Sequence, residues 1–176
     1  MNIGYIAITI DGYIADNAGN VGFLDNFGHI DTGYDDFIET IDVIIMGRGS
    51  YEAILGFGMD WPYPAQSTWV ITQDKSLPTP HESIHFWHDD LQSLMAHLAL
   101  KDNENCWFLG GGKLISDAIY NGLLDRLELF IIPTLLGSGI PLFPENNHAL
   151  KALTLNKVTF IGQAISHHSY CFQRSE

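Results

Sequence analysis

Short apolar runs alternate along this chain with polar, glycine-rich stretches, and their period switches between two residues and about 3.6. Residues 3–10 form a β-branched run closed by the turn signal Asp11-Gly12, which predicts a strand. Residues 16–33 are rich in Gly, Asn and Asp and read as a long loop. Residues 34–40 predict a short helix with Phe37, Ile38 and Ile41 on its apolar side. Val43-Ile44-Ile45-Met46 is continuously apolar, the mark of a strand covered on both faces. It stops at Gly47-Arg48-Gly49-Ser50, and a helical pattern resumes over 50–55. Strands follow at 68–72 and 83–87, with the Trp61-Pro62-Tyr63-Pro64 loop before them. In the helix of residues 89–100, Leu91, Leu94, Met95 and Leu98 keep helical spacing behind a capping Asp89 or Asp90. Residues 105–109 form a central strand that runs into Gly110-Gly111-Gly112, and a helix continues from 113 to about 120. The last elements are a strand at 126–133, a loop at 135–143 and an antiparallel hairpin formed by 153–161 and 164–173.

Strands and helices that interleave before a terminal hairpin predict a single α/β domain over residues 1–176. Its sheet is mixed and mainly parallel, with helices on both faces. In such sheets ligands bind beyond the carboxyl ends of the strands. The turns at Asp11, Gly47-Arg48, Thr72, 110–112 and 136–139 are therefore expected on one rim.

Hydrophobic residues make up 46% of the chain and charged residues 16%, a composition that buries a core. Eight Lys and Arg against 21 Asp and Glu leave a formal charge of −13, which argues against nucleic acid or an anionic membrane as partner. No apolar run approaches membrane-spanning length. Cys106 and Cys171 stand far apart without a second spaced pair, which suits reduced thiols in the cytoplasm. Eight histidines invite a metal reading, yet His167 and His168, adjacent in a strand, point to opposite faces, and no metal site is expected.

Within this acidic chain, three of the few cations fall at expected rim turns. Gly47 permits a close turn, Arg48 offers a fork for an anion, and Ser50 can cap a helix or donate to a phosphate. Gly110, Gly111 and Gly112 offer backbone N–H groups at a helix start, with Lys113 beside them. Thr72 and Lys75 add a hydroxyl and an ammonium at a third strand end. Two phosphate-capable turns on one rim suit a dinucleotide.

Four segments then appear in a familiar order: Ile8-Thr9-Ile10-Asp11-Gly12-Tyr13-Ile14-Ala15, residues 42–52 around Met46-Gly47-Arg48, Leu109-Gly110-Gly111-Gly112-Lys113-Leu114, and residues 132–143 around Leu136-Gly137-Ser138-Gly139. Together they resemble the dihydrofolate reductase-like family, in the branch of the reductase domain of the bifunctional riboflavin-biosynthesis deaminase–reductase. That resemblance implies a three-layer α/β/α fold, an NADPH-dependent reductase acting on a pterin- or pyrimidine-like small molecule, and a homodimer. It places Ala7 and Ile14 at the nicotinamide, and Gly47, Arg48 and Ser50 at the pyrophosphate and adenosine phosphate. Thr72 and Lys75 fall at the 2′-phosphate, and Gly110, Gly111, Gly112 and Leu114 at the pyrophosphate and ribose. Leu136, Gly137 and Gly139 fall in the loop approaching the substrate side of the nicotinamide. No zinc-deaminase signature precedes the reductase-like region: His81-Glu82 lacks a following Pro-Cys-x-x-Cys, so a stand-alone reductase is expected.

Dihydrofolate reductases use one carboxylate near the helix before the Met-Gly-Arg strand, and Asp31, Asp35 and Asp36 lie in that region. At most one of the three is expected to act on a proton; the bland alternative is an acidic helix start that complements the dipole. Asp11 is expected to stabilise its own turn. Trp61 and Tyr63 are candidates to wall the substrate pocket. A nucleotide-binding homodimer without turnover, and a flavin- or NADH-using reductase, are the competing readings.

Overall fold

The computed structural model describes residues 1–172, so Gln173 at the end of the expected hairpin lies outside the described residues. The chain opens with β1 (Asn2–Thr9) and β2 (Tyr13–Ala15), then a 3-10 turn over Gly22–Phe27 and α1 (Tyr34–Glu39). Next come β3 (Val43–Gly47), α2 (Arg48–Gly56), β4 (Ser67–Ile71), β5 (Ile84–Trp87) and α3 (Leu91–Leu98). The rest comprises β6 (Cys106–Gly110), α4 (Gly112–Tyr120), β7 (Arg126–Ile132), β8 (Ile140–Pro141), β9 (Thr154–Ile161) and β10 (Ile165–Cys171).

Eight strands join one sheet in the order β5-β4-β3-β6-β1-β7-β10-β9. Every neighbouring pair from β5 to β7 is parallel, and β10 runs antiparallel to both β7 and β9. The sheet is thus mixed and mainly parallel with an antiparallel hairpin at one edge. Since β1, β3, β4, β6 and β7 run the same way, the five turns that follow them share one rim. The chain order reverses around β6 and β1, which leaves a crevice between β3, β6 and β1 at their carboxyl ends.

Apolar side chains on the two faces form separate cores, as the alternation along strands requires. Ile45, Phe108 and Leu129 meet Leu91 and Leu94 of α3 and Leu114, Ile115 and Ile119 of α4. On the other face Ile3, Ile44, Met46 and Trp107 meet Tyr51 and Ile54 of α2, with Phe37 and Ile38 of α1 alongside. The fully buried run Ile44-Ile45-Met46 is continuous because β3 is covered on both sides.

Two features depart from expectation. The stretch 135–143 contains β8, which pairs antiparallel with β2 in a separate two-stranded sheet. Strands of two and three residues carry no readable period. Asp11 also does more than close its own turn. Its carboxylate accepts from Thr9 Oγ1 at 2.6 Å and from the N–H of Gly137 at 2.7 Å and Leu136 at 3.1 Å. It therefore clamps the loop after β7 to the end of β1.

Candidate functional site

A cavity of about 850 Å³ opens where the chain order reverses, bordered by Ile6, Ala7, Ile14, the Gly47–Ser50 turn and residues 109–114. Strands β3 and β6 end side by side, with Met46 paired to Gly110, so their two turns face one another. The Gly110–Gly111 peptide is cis and Gly110 has φ +139°, a conformation that L side chains rarely adopt. Ser50 Oγ lies 3.6 Å from where a Cβ on Gly110 would sit and 3.7 Å from one on Gly111, so the hydroxyl reaches across to the second turn. Helices α2 and α4 both start at this gap, and neither has a side-chain cap on its first N–H groups. Two uncapped helix starts aimed at one gap make a site for a doubly charged anion, and the residues present fit a pyrophosphate.

Gly112 has a different role. A Cβ there would lie 2.3 Å from the Pro141 carbonyl oxygen and 2.5 Å from that of Leu142. The first turn of α4 thus packs directly on the chain leaving β8, which fixes where the helix start points. Arg48 extends from the opposite turn but is engaged: Nε donates to Glu52 at 2.8 Å, and Nη1 lies 3.3 Å from Asp74. Thr72 Oγ1 accepts from the Asp74 N–H at 3.0 Å, which shapes the turn that brings Asp74 to Arg48.

A second cavity, of about 500 Å³, lies beside the first and shares Ala7 and Leu24 with it. Its walls are aromatic and aliphatic: Tyr5, Phe27, Tyr34, Phe130, Ile132 and Ile165. Tyr5 stacks on Phe37 with centroids 4.3 Å apart, lies 4.5 Å from Phe130, and donates its hydroxyl to the Thr32 carbonyl at 3.0 Å. Burial holds the Tyr5 and Tyr34 phenols above their ordinary range, so both remain neutral donors. Behind Phe130 the His167 ring stacks at 4.4 Å and 4°, and its Nε2 meets Glu128 at 2.6 Å. Asp31 and Asp35 stand exposed at the mouth; Asp31 Oδ1 accepts from the Gly33 N–H at 2.8 Å.

The sequence pattern of the RibD C-terminal domain matches residues 57–166, well over half of the chain. The chain belongs to the RibD C-terminal domain family. It is 35% identical over 167 residues to the uncharacterized protein YwjB of Bacillus subtilis (strain 168), covering 93% of this chain and 94% of that one. A crystal structure from Shewanella sp. PV-4, described as a candidate riboflavin biosynthesis protein, superposes with TM-score 0.84 at 28% identity, covering 98% and 99% of the two chains. The fold is also that of dihydrofolate reductase from Enterococcus faecalis complexed with NADP(H), with TM-score 0.65, 21% identity and coverage of 97% and 95%. A diaminohydroxyphosphoribosylaminopyrimidine deaminase/5-amino-6-(5-phosphoribosylamino)uracil reductase of Thermotoga maritima shares it too, with TM-score 0.68 at 14% identity, over 97% of this chain and 56% of that one. The fold is thus dihydrofolate reductase-like, as the four ordered segments implied.

On this RibD C-terminal scaffold, Ala7, Ile14, Gly47, Arg48, Ser50, Gly110, Gly111, Gly112 and Leu114 all border the larger cavity. Thr72, Lys75, Leu136, Gly137 and Gly139 do not. Leu136 and Gly137 give their N–H groups to Asp11, and a Cβ on Gly139 would lie 2.3 Å from the Ala15 carbonyl oxygen. Their loop supports the β2–β8 pair from outside. Asp31 and Asp35 border the smaller chamber, whereas Asp36 does not. Tyr63 borders the larger cavity, and Trp61 is buried between Tyr51 and Tyr63 at 5.8 and 5.5 Å. Sequence reasoning missed Tyr5 and Phe130. Tyr5 stands two residues before Ala7 in a strand and therefore on its face, a signal that was readable. Phe130 sits opposite Ala7 through the parallel β1–β7 register, which no local pattern encodes.

Proposed function

We propose that the chain is an NADPH-dependent reductase that passes a hydride to a pterin- or pyrimidine-like heteroaromatic small molecule. The observation that carries this reading is the pair of cavities sharing Ala7: a long one with two uncapped helix starts and a short aromatic one. Ala7 and Leu24 line both chambers, and in the proposed reaction a donor ring and an acceptor ring meet there. NADPH supplies the hydride when bound, and the matching proton comes from water at the mouth beside Asp31 and Asp35. The chain's own part is placement. Gly110, Gly111 and Ser50 seat the pyrophosphate, Arg48 turns from its carboxylates toward the adenosine phosphate, and Tyr5 and Phe130, packed against each other, wall the acceptor ring's chamber.

We further propose a homodimer working in the cytoplasm. The two free cysteines, buried Cys106 and exposed Cys171, suit a reducing compartment, and no helix among the described residues is long and apolar enough to cross a membrane. Purified protein is titrated with NADPH, then mixed with a panel of oxidised pterins and amino-pyrimidines while nicotinamide absorbance is followed. Oxidation of NADPH that requires one panel member supports a reductase. Tight NADPH binding with no oxidation by any member replaces it with a nucleotide-binding module that does not turn over, and tighter binding of NADH or flavin overturns the cofactor assignment.

A further inference from the structure

We infer that the smaller chamber selects an unphosphorylated flat heteroaromatic, neutral or cationic, and rejects the phosphoribosyl form named for the Thermotoga maritima reductase. This deepens the reductase reading and rests on it for the chamber's role as the substrate site. A phosphorylated ribose needs a cation or a set of unpaired N–H groups where its phosphate comes to lie. The chamber is poor in both: no Lys or Arg among the described residues borders it, its titratable mouth residues are Asp31, Asp35 and the single imidazole of His29, and the uncapped start of α1 carries Asp35 and Asp36 in its first turn. The Gly33 N–H at that mouth is already taken by Asp31. Asp35 makes no hydrogen bond or ion pair among the described residues, so its charge faces the entrance uncompensated.

Cations outside the chamber serve other places. Arg48 and Lys113 border the larger cavity, where they pair with Glu52 and Asp117, and Arg126 pairs with Glu128 at 2.7 Å near the opposite end of β7. A ligand in the chamber beside Tyr5 and Phe130 therefore meets neutral phenols and apolar walls inside, and two carboxylates and one imidazole outside. Ring N–H or exocyclic amino groups satisfy those carboxylates, whereas a phosphate dianion is repelled by both.

The test uses a matched pair of ligands, 5-amino-6-(ribosylamino)uracil and its 5-phosphate, titrated into the full chain by quenching of intrinsic tyrosine and tryptophan fluorescence. The titrations are run without cofactor and again with NADP+ present. The unphosphorylated compound should bind about tenfold more tightly or better at low salt, the factor that two unit charges a few ångströms away impose. The gap should shrink as ionic strength rises, and shrink again in the D31N/D35N double variant, where Asn keeps the acceptor for Gly33 but removes the charge. Equal or tighter binding of the phosphorylated compound overturns the inference. So does a gap that ignores both salt and the double substitution, because that gap would be steric, and so does failure of both compounds to bind. NADPH affinity is measured separately by its own fluorescence. Its loss would strike the reductase reading while leaving the cofactor-free titrations to judge the chamber.

Discussion

In the proposed reductase, Arg48 is the residue at which cofactor affinity and local pairing compete. Its guanidinium already meets Glu52 and Asp74, so turning it toward a phosphate exchanges two exposed ion pairs for one charge-assisted contact. Arg48→Ala should weaken NADPH binding by about 1.5 kcal/mol, the low end for such a contact, with little loss in folding stability. An isothermal titration showing an unchanged dissociation constant would remove Arg48 from the site. Gly112 poses the opposite case, because its missing side chain serves packing. Gly112→Ala drives a methyl into the backbone carbonyls of Pro141 and Leu142, neither of which is a flexible side-chain end. Overpacking of that kind should lower unfolding stability by about 2 kcal/mol, visible as a reduced urea midpoint at unchanged slope. A midpoint equal to that of the parent protein would mean that the β8 segment yields freely. Such a result would undo the claim that it aims α4.

At the scale of elements, Asp11 links β1 to the loop after β7, and the link is tied to pH. The hydrogen bond from Thr9 Oγ1, with the N–H bonds of Gly137 and Leu136, holds its carboxyl below the usual carboxylate range. A group whose folded pKa is depressed contributes fully above its unfolded value, about 3.9, and the contribution fades as pH falls through the lower folded value. Amide resonances of Leu136 and Gly137 should therefore stay constant at neutral pH and move with a midpoint below about 3.9. Asp11→Asn should shift them at every pH, and a titration midpoint at or above the ordinary value would sink the clamp. The elements themselves were largely legible. Val43-Ile44-Ile45-Met46 announced a doubly covered strand, and the abrupt stop at Gly110 announced a strand-to-helix turn. What stayed hidden depends on partners distant in sequence: β8 exists only because β2 is there to pair with it. The smaller chamber was hidden for the same reason, since its walls come from β1, the 3-10 turn, α1, β7 and β10, one or two residues each, and from residues 28–32 between the 3-10 turn and α1. The larger cavity was easier to read because helix starts and glycine turns are local signals. The resemblance also implied a site role for residues 136–139, yet Gly139 packs against the Ala15 carbonyl and Gly137 gives its N–H to Asp11.

Among the described residues the sheet ends on β5 at one edge and on β9 at the other, and the residues of β9 bear on assembly. In β9, Phe160 pairs with Ser166, Val158 with His168 and Leu155 with Tyr170, and these partners sit opposite Ile131, Leu129 and Leu127 of β7. Paired residues share a face, so Leu155, Val158 and Phe160 form one apolar stripe on an edge strand. They are 50%, 44% and 77% exposed, where a protein that stays alone in water would place charge or proline. A net charge of −13 opposes self-association at long range, so the proposed dimer needs apolar burial, and this stripe is a candidate surface for it. A second copy covering it would meet the same residues by two-fold symmetry, burying each side chain twice. Burial of one phenylalanine side chain contributes about 1.5–3 kcal/mol, so Phe160→Glu, lost on both sides, should raise the dimer dissociation constant by about 100-fold or more. Light scattering behind size exclusion reads this directly: the parent chain should run as a dimer and the variant as a folded monomer with unchanged circular dichroism. Because the stripe lies at the far edge from α2, the monomer should keep its affinity for NADPH. A monomeric parent chain, or a variant that still dimerises, would mean that β9 is not the surface that joins two copies.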